Sequence, residues 1–334
     1  MPRAWTLRSR PEGLPAKEDF ELVEQDLPPP GEGELRITNH WLSVDPYMRG
    51  RMNEAKSYVE PFRLGEPMEG GAVGKVVESK AAGFSQGDLV FHMAGWREEA
   101  VLPARAARKL PELGVPDQQW LGNLGLTGGT AYFGLLQVAE AKKDDLVFVS
   151  AAAGAVGSAV VQIAKAEGMK VIGSAGGEQK CAFVREIGAD RVIDYKAGPI
   201  AEALGRAVEK LGAPGIDVYF DNVGGDHLDA AFAHAADHAR FAICGMIEDY
   251  NRGSEHRFRY IMRIIAARIR LQGFLYPDFL DRLDAFYRDM GGWVAQGKVV
   301  ARETVHDGIE AMPEAFIGLF RGENIGKMLV RIER

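Results

Sequence analysis

Asp145-Leu146-Val147-Phe148-Val149-Ser150-Ala151-Ala152-Ala153-Gly154-Ala155-Val156-Gly157-Ser158 is the stretch that decides the fold of this chain. Asp145 to Ser150 reads as a strand around the apolar core Leu146 to Val149. A turn of small residues follows and opens a helix, predicted from about Ala155 to Glu167. The turn reads as a dinucleotide fingerprint with Ala152 in the place of the first glycine. Gly154 allows close approach of a pyrophosphate, and Gly157 allows the helix to pack tightly on the strand. The helix N-terminus offers N–H groups and a positive dipole end to the phosphates. A tight turn that merely needs small residues is the bland reading; a strand before it and a helix after it favour the fingerprint.

Outward from this turn, strands and helices alternate. Lys170 to Gly173, Arg191 to Asp194, Ile216 to Asp221 and Arg240 to Cys244 read as strands. Lys180 to Ile187 and Ile200 to Leu211 read as helices, and Thr130 to Ala139 is a helical apolar stretch before the first strand. The alternation predicts an α/β fold with a doubly wound parallel sheet, a Rossmann domain over residues 123–299. Residues 1–122 differ in character. Short runs such as Glu34 to Thr38, Gly70 to Val77 and Gly87 to Phe91 are punctuated by glycine and proline, which predicts a mostly β, barrel-like domain. Glu303 to Val305 and Lys327 to Ile332 return to strand character, so residues 300–334 are assigned to that first domain.

Selective NAD sites carry an acidic residue at the end of the second strand. Ile172-Gly173-Ser174-Ala175-Gly176-Gly177 has none there. Lys180 follows closely and Tyr195 comes after the third strand, both able to reach a 2′-phosphate. Glu178 argues the other way but lies past the strand end. NADP(H) is therefore the expected cofactor.

A net charge of -7 argues against a phosphate-backbone binder or a basic membrane patch, so neither nucleic acid nor membrane is an expected partner. Two cysteines, Cys181 and Cys244, are too few for a disulfide scaffold or a four-cysteine zinc site, and with no leader-like N-terminus the expected compartment is the cytoplasm. His234 and His238 are spaced to share a helix face, but Ala235-Ala236-Asp237 lacks a zinc-hydrolase glutamate, and a solvated face is expected. Gly322 to Lys327 is too short for a phosphate loop, with Met328 in place of Ser/Thr, and no Gly-x-Ser-x-Gly elbow occurs. With no metal site expected and no activated nucleophile, hydride transfer by the cofactor is the remaining chemistry.

Several motifs together are more specific than the turn alone: Val44-Asp45-Pro46-Tyr47-Met48-Arg49-Gly50-Arg51-Met52, Thr130 to Leu136, Ala151 to Ser158, Asp221-Asn222-Val223-Gly224-Gly225, Cys244-Gly245-Met246-Ile247, Tyr250-Asn251, and Gly322-Glu323-Asn324-Ile325-Gly326-Lys327. In this combination the chain resembles, over nearly its whole length, the zinc-independent medium-chain dehydrogenase/reductase group. That group holds leukotriene B4 12-hydroxydehydrogenase/prostaglandin reductases, plant double-bond reductases and bacterial curcumin reductases. The resemblance implies a GroES-like catalytic domain split between the chain ends, and a homodimer pairing through the strand around Leu271 to Leu275. Met68 and Glu69 stand where zinc-dependent relatives carry Gly-His-Glu.

The resemblance further implies that Gly154, Ala155, Val156, Gly157 and Ser158 line the pyrophosphate and that Lys180 and Tyr195 reach the 2′-phosphate. Asn222, Cys244, Tyr250, Phe274, Leu275 and Asn324 match cofactor-lining positions, and Thr130 should lie near the nicotinamide. Tyr47 is expected in the substrate cleft wall, and Tyr250 matches a tyrosine acting on substrate oxygen or proton. Packing roles remain open for both tyrosines. Three departures stand out: Thr127-Gly128-Gly129 before Thr130, Gly177 where eicosanoid enzymes often carry serine, and Ala266 where some relatives carry tyrosine.

The expected reaction is NADPH-dependent reduction of the C=C bond of small enals and enones, by hydride transfer to the β-carbon. Tyr250, the cofactor ribose hydroxyl or water would serve the developing oxyanion and the α-carbon. A quinone reductase on the same fold, and a non-catalytic NADPH-binding protein, are the rival readings. The segment Glu248 to Tyr260, with Arg252, His256, Arg257 and Arg259, reads either as a greeting for an acidic substrate tail or as a solvated loop.

Overall fold

Short strands separated by turns open the chain, in a computed structural model that describes residues 1–54, 57–248, 250 and 256–332. Strands β1 (Arg3–Leu7) and β2 (Phe20–Glu24) form an antiparallel pair. β3 (Glu34–Ser43) leads into the one-turn helix α1 (Tyr47–Arg51), and β4 (Ala72–Ser79), β5 (Leu89–His92), β6 (Glu99–Pro103) and β7 (Ala107–Lys109) follow.

The helical half starts at α2 (Leu126–Phe133), which continues as a π-helical turn over Gly134–Val138. Then come β8 (Leu146–Val149), α3 (Ala155–Ala166), β9 (Lys170–Ala175), α4 (Glu178–Glu186), β10 (Arg191–Asp194), α5 (Ile200–Lys210), β11 (Ile216–Asp221), α6 (Gly225–Ala233), β12 (Ala235–Ile243), α7 (Arg263–Ala266), β13 (Arg270–Gly273) and α8 (Leu283–Ala295). β14 (Glu303–Asp307), α9 (Met312–Arg321) and β15 (Lys327–Arg331) end the chain.

Two compact units result, one of Met1–Leu121 with Glu303–Arg334 and one of Gly122–Arg302. In the first, β14-β15-β3-β4-β5-β7 form one sheet, with β6 also paired to β3. All its ladders are antiparallel except β14–β15. Its core gathers Trp96, Phe20 and Phe316, with Phe20 stacked on Trp96 at 5.6 Å. In the second, six parallel strands run in the order β10-β9-β8-β11-β12-β13. This is the Rossmann order, with the chain reversing direction across the sheet between β8 and β11. All four residues of β8 are buried, as an interior parallel strand requires.

Three expectations change. Strand β12 starts at Ala235, five residues before the predicted Arg240. Its register against β11 shifts between Ile216 and Val218, and His238 takes a positive φ of 61° within the bulge. His234 caps the end of α6 and His238 lies in β12, so the two do not share a helix face. The helix before β8 starts at Leu126 rather than Thr130. It includes Gly128 and Gly129 because neither position has room for a side chain. A Cβ at Gly128 would lie 1.9 Å from the Asn123 carbonyl oxygen, and one at Gly129 2.2 Å from the Tyr276 ring.

Candidate active site

Between β8 and α3 the backbone turns through Ala151, whose φ of 48° places a non-glycine residue in the left-handed region. Such a conformation costs about 1 kcal/mol and persists only where neighbours hold it. Here the Ala152 amide donates to the Ser174 carbonyl at 2.8 Å and the Gly154 amide to that of Ala151 at 2.9 Å. Ala152 stands in the first glycine's place because Gly173 makes room: a Cβ at Gly173 would meet the Ala152 methyl at 2.9 Å. Gly157 has no such latitude, since a Cβ there would lie 2.3 Å from the Ala151 carbonyl oxygen. Gly154 is the N-cap of α3 and no side chain caps the helix, so its first-turn N–H groups face the turn without a side-chain acceptor. Ala155 and Val156 are half-buried and Ser158 is buried, its hydroxyl donating to the Ala155 carbonyl at 3.3 Å. Gly157→Ala should push this turn open and weaken dinucleotide binding by about tenfold, read by calorimetric titration.

The carboxyl ends of the other strands gather beside this turn, where open parallel sheets bind ligands. After β9, Gly176 and Gly177 lead into α4, with Lys180 in its first turn. Burial, and then the charge of Lys196, lower the Lys180 ammonium pKa. Tyr195 follows β10, its ring edge-on to His227 at 5.3 Å. After β11, the Asn222 amide donates to the Ser150 hydroxyl at 2.9 Å and its side chain to the Ser150 carbonyl at 2.8 Å. Beneath it Asp221 is buried, and its Oδ1 accepts from Tyr219, Ser150, Val223 and Gly224. After β12, Cys244 and Gly245 donate their amides to the Asp221 carbonyl at 2.9 and 3.1 Å. Burial, with Asp221 nearby, pushes the Cys244 thiol up to about 12, so it remains a neutral thiol.

Tyr250 turns back onto this loop. Its hydroxyl accepts the Met246 amide at 3.4 Å, and a Cβ on Gly245 would lie 3.2 Å from the hydroxyl oxygen. Tyr250, Gly245 and Asn222 are thus brought together. Thr130 lies within α2, its hydroxyl donating to the Leu126 carbonyl at 2.7 Å. Phe274 packs its ring at Gly134, where a Cβ would be 2.3 Å away, and edge-on to Phe220, while Leu275 caps the following turn. Asn251 and Arg252 lie outside the described residues. His256 approaches Asp226 at 4.0 Å and Phe258 packs on Phe232.

Tyr47 and Asn324 belong to the first unit. The Tyr47 hydroxyl is buried without a hydrogen-bond partner among the described residues, and burial, then Asp45, raises its pKa. Asn324 Nδ2 donates to the Gly326 carbonyl at 2.8 Å. Lys327 donates to Asp45 at 2.6 Å and to the Val44 carbonyl at 3.0 Å, joining the Val44–Met52 and Gly322–Lys327 motifs.

Residues 3–110 match the family described as N-terminal domain of oxidoreductase, and residues 155–290 match the one described as zinc-binding dehydrogenase. The chain is 40% identical to the NADPH-dependent curcumin reductase of Escherichia coli, over 99% of this chain and 96% of that one. It is 39% identical to the 2-alkenal reductase (NADP(+)-dependent) of Nicotiana tabacum, covering 96% and 95%. The structure of CurA from Vibrio vulnificus in complex with NADPH superposes with a TM-score of 0.93 at 42% identity, covering 99% of each chain. The chain belongs to the zinc-independent medium-chain dehydrogenase/reductase family.

As a member of that family it is an oxidoreductase. The zinc in one family description finds no matching ligand set: among the described residues no group of three or more His, Cys, Asp or Glu side chains is placed to hold a metal ion. Where Gly-His-Glu would fall, Glu69 instead pairs with Arg51 at 2.7 Å, and the Arg51 guanidinium lies over the Phe62 ring at 4.2 Å.

A dinucleotide suits the residues present, since Gly154 is the N-cap of α3 with no side-chain cap competing for the first-turn amides, and Gly157 lets the helix close on Ala151. Sequence reasoning missed Ser150, which holds Asn222, and Asp221, which accepts the Ser150 hydroxyl beneath it. The signal was available in part: Asp221 opens the quoted Asp-Asn-Val-Gly-Gly motif, but nothing local in sequence ties it to Ser150, 71 residues away.

Proposed function

We propose that this protein reduces the C=C bond of α,β-unsaturated aldehydes and ketones. NADP(H) is its cofactor, in keeping with the NADPH-bound CurA structure and the NADP-dependent curcumin and 2-alkenal reductases to which the chain is similar. Gly154 to Ser158 would hold the pyrophosphate, and Lys180 and Tyr195 the 2′-phosphate. Thr130, Asn222, Cys244, Phe274, Leu275 and Asn324 are assigned to the rest of the cofactor. When bound, NADPH supplies the hydride for the substrate β-carbon.

The observation that carries the reading is the Tyr250 hydroxyl, held by the Met246 amide beside Gly245 and Asn222 at the ends of β11 and β12. Negative charge moves to the substrate carbonyl oxygen as the β-carbon is reduced. A donor aimed at that oxygen stabilises the charge, and Tyr250 is assigned that role. The α-carbon then takes a proton from Tyr250 or from water. Tyr47, with its buried hydroxyl, is assigned to the substrate wall. The deciding assay follows NADPH absorbance with a 2-alkenal, an aryl enone and a quinone. NADPH-selective oxidation giving the saturated carbonyl is expected; turnover of the quinone alone would make the protein a quinone reductase.

We also propose that the protein works as a cytoplasmic homodimer through β13. All four residues of this edge strand are exposed, and Met262, Ile265 and Leu271 nearby are 70%, 71% and 41% exposed. An open edge flanked by apolar side chains is a pairing surface. The double change Ile265→Asp with Leu271→Asp should move the mass measured by light scattering from two chains to one. A wild-type protein already monomeric at micromolar concentration would sink the dimer.

A further inference from the structure

Strands β9 and β10 run parallel with Ala175 beside Asp194, so the residues that follow them arrive at one place. The Tyr195 amide donates to the Ala175 carbonyl at 3.2 Å. Asp194 Oδ1 accepts the amides of Gly177 and Lys196, each at 3.0 Å. These bonds fix the backbone from which the Lys196 side chain departs, and that side chain runs over Gly176. A Cβ on Gly176 would lie 2.9 Å from Lys196 Cε and 2.8 Å from the Tyr195 hydroxyl. The missing side chain at 176 is what lets a lysine and a phenol share this spot.

Lys180 faces the same place. The charge of Lys196 is near enough to lower its pKa, second only to burial. Among the described residues neither ammonium forms an ion pair. The nearby carboxylates are engaged: Glu178 pairs with Arg185 at 2.8 Å, and Asp194 Oδ1 takes the two amides. The charge of Lys196 also acts on Asp194, yet two ammoniums held this close repel one another until a further anion joins them. A phosphate monoester carries about -1.5 to -2 at neutral pH, more than one ammonium neutralises.

We propose that Lys196 is a second cation of the 2′-phosphate site, so that the phosphate monoester is held between Lys180 and Lys196 with the Tyr195 hydroxyl beside it. This rests on the NADP(H) reading above and adds to it a residue that determines cofactor specificity. Lys196 is exposed, so its replacement leaves the core intact.

The test is calorimetric titration of the full-length protein with adenosine 2′,5′-bisphosphate and, separately, with 5′-AMP. Lys196→Met should weaken bisphosphate binding by about tenfold and 5′-AMP binding by less than about twofold, and should flatten the salt dependence of the bisphosphate. Lys196→Arg should recover most of the loss. Bisphosphate affinity within about twofold of wild type in Lys196→Met overturns the proposal. Lys180→Met run in parallel separates the two levels. A loss there without one at Lys196 removes Lys196 alone and leaves the NADP(H) reading standing. No loss in either variant removes this turn as the 2′-phosphate site altogether.

Discussion

Tyr250→Phe is expected to lower kcat for enone reduction by about 10²-fold, the size of effect seen when a hydrogen-bond donor to a developing oxyanion is removed. The ring should stay in place, because the substitution removes only the oxygen that accepts the Met246 amide at 3.4 Å. That bond is long and Met246 is half-buried, so losing it costs the loop little. NADPH affinity should therefore change by less than about twofold. A transition-state donor lowers kcat and kcat/KM together when lost, whereas an aromatic support for the cofactor raises the NADPH Kd instead. Pre-steady-state reduction of an aryl enone, with NADPH binding measured on the same preparation, distinguishes the two. If kcat holds, Tyr250 leaves the mechanism and water becomes the proton source.

The parts of this molecule that were legible in the sequence are those set by local pattern. The run Leu146 to Val149 is buried at every residue, and a fully buried parallel strand reads as an unbroken apolar stretch. The turn at Gly154 and Gly157 was legible because each glycine answers a backbone approach. β12 was harder to place. Its first half is alanine, aspartate and histidine, with a bulge at His238, so neither a period of two nor of 3.6 stands out.

α2 was masked in the same way. Adjacent glycines argue against a helix, yet Gly128 and Gly129 are required by the Asn123 carbonyl and the Tyr276 ring, which meet only in the folded chain. The site divides likewise. Residues carried by motifs, such as Asn222 and Tyr250, could be named from sequence. The groups that hold them, Ser150 for Asn222 and the Met246 amide for Tyr250, follow from strand neighbours and a loop path. Lys196 is invisible for a related reason: only the register of β9 against β10 brings it over Gly176.

Lys327→Met should destabilise the first unit by about 3–5 kcal/mol, the usual consequence of leaving a buried charge without its partner. Lys327 and Asp45 side chains are 5% and 8% exposed, and their bond is 2.6 Å. Asp45 also accepts the Ser43 hydroxyl, while Lys327 also donates to the Val44 carbonyl at 3.0 Å. The methionine would keep the stem but remove the donor to both oxygens, so the carboxylate and the carbonyl lose a partner at once. Because Lys327 sits in β15 and Asp45 lies between β3 and α1, the damage should reach the helix that carries Tyr47.

Adding Asp45→Asn to Lys327→Met removes the stranded charge and should recover more than about half of the loss, a coupling that a double-mutant cycle in urea reads directly. The two units differ in their cores, so the unfolding should be followed with a probe in each. Trp96 reports the first unit from its buried core. A single-variant loss below about 1 kcal/mol would mean that Asp45 is solvated or protonated once Lys327 is gone, and that the pair is not what ties the two chain ends together.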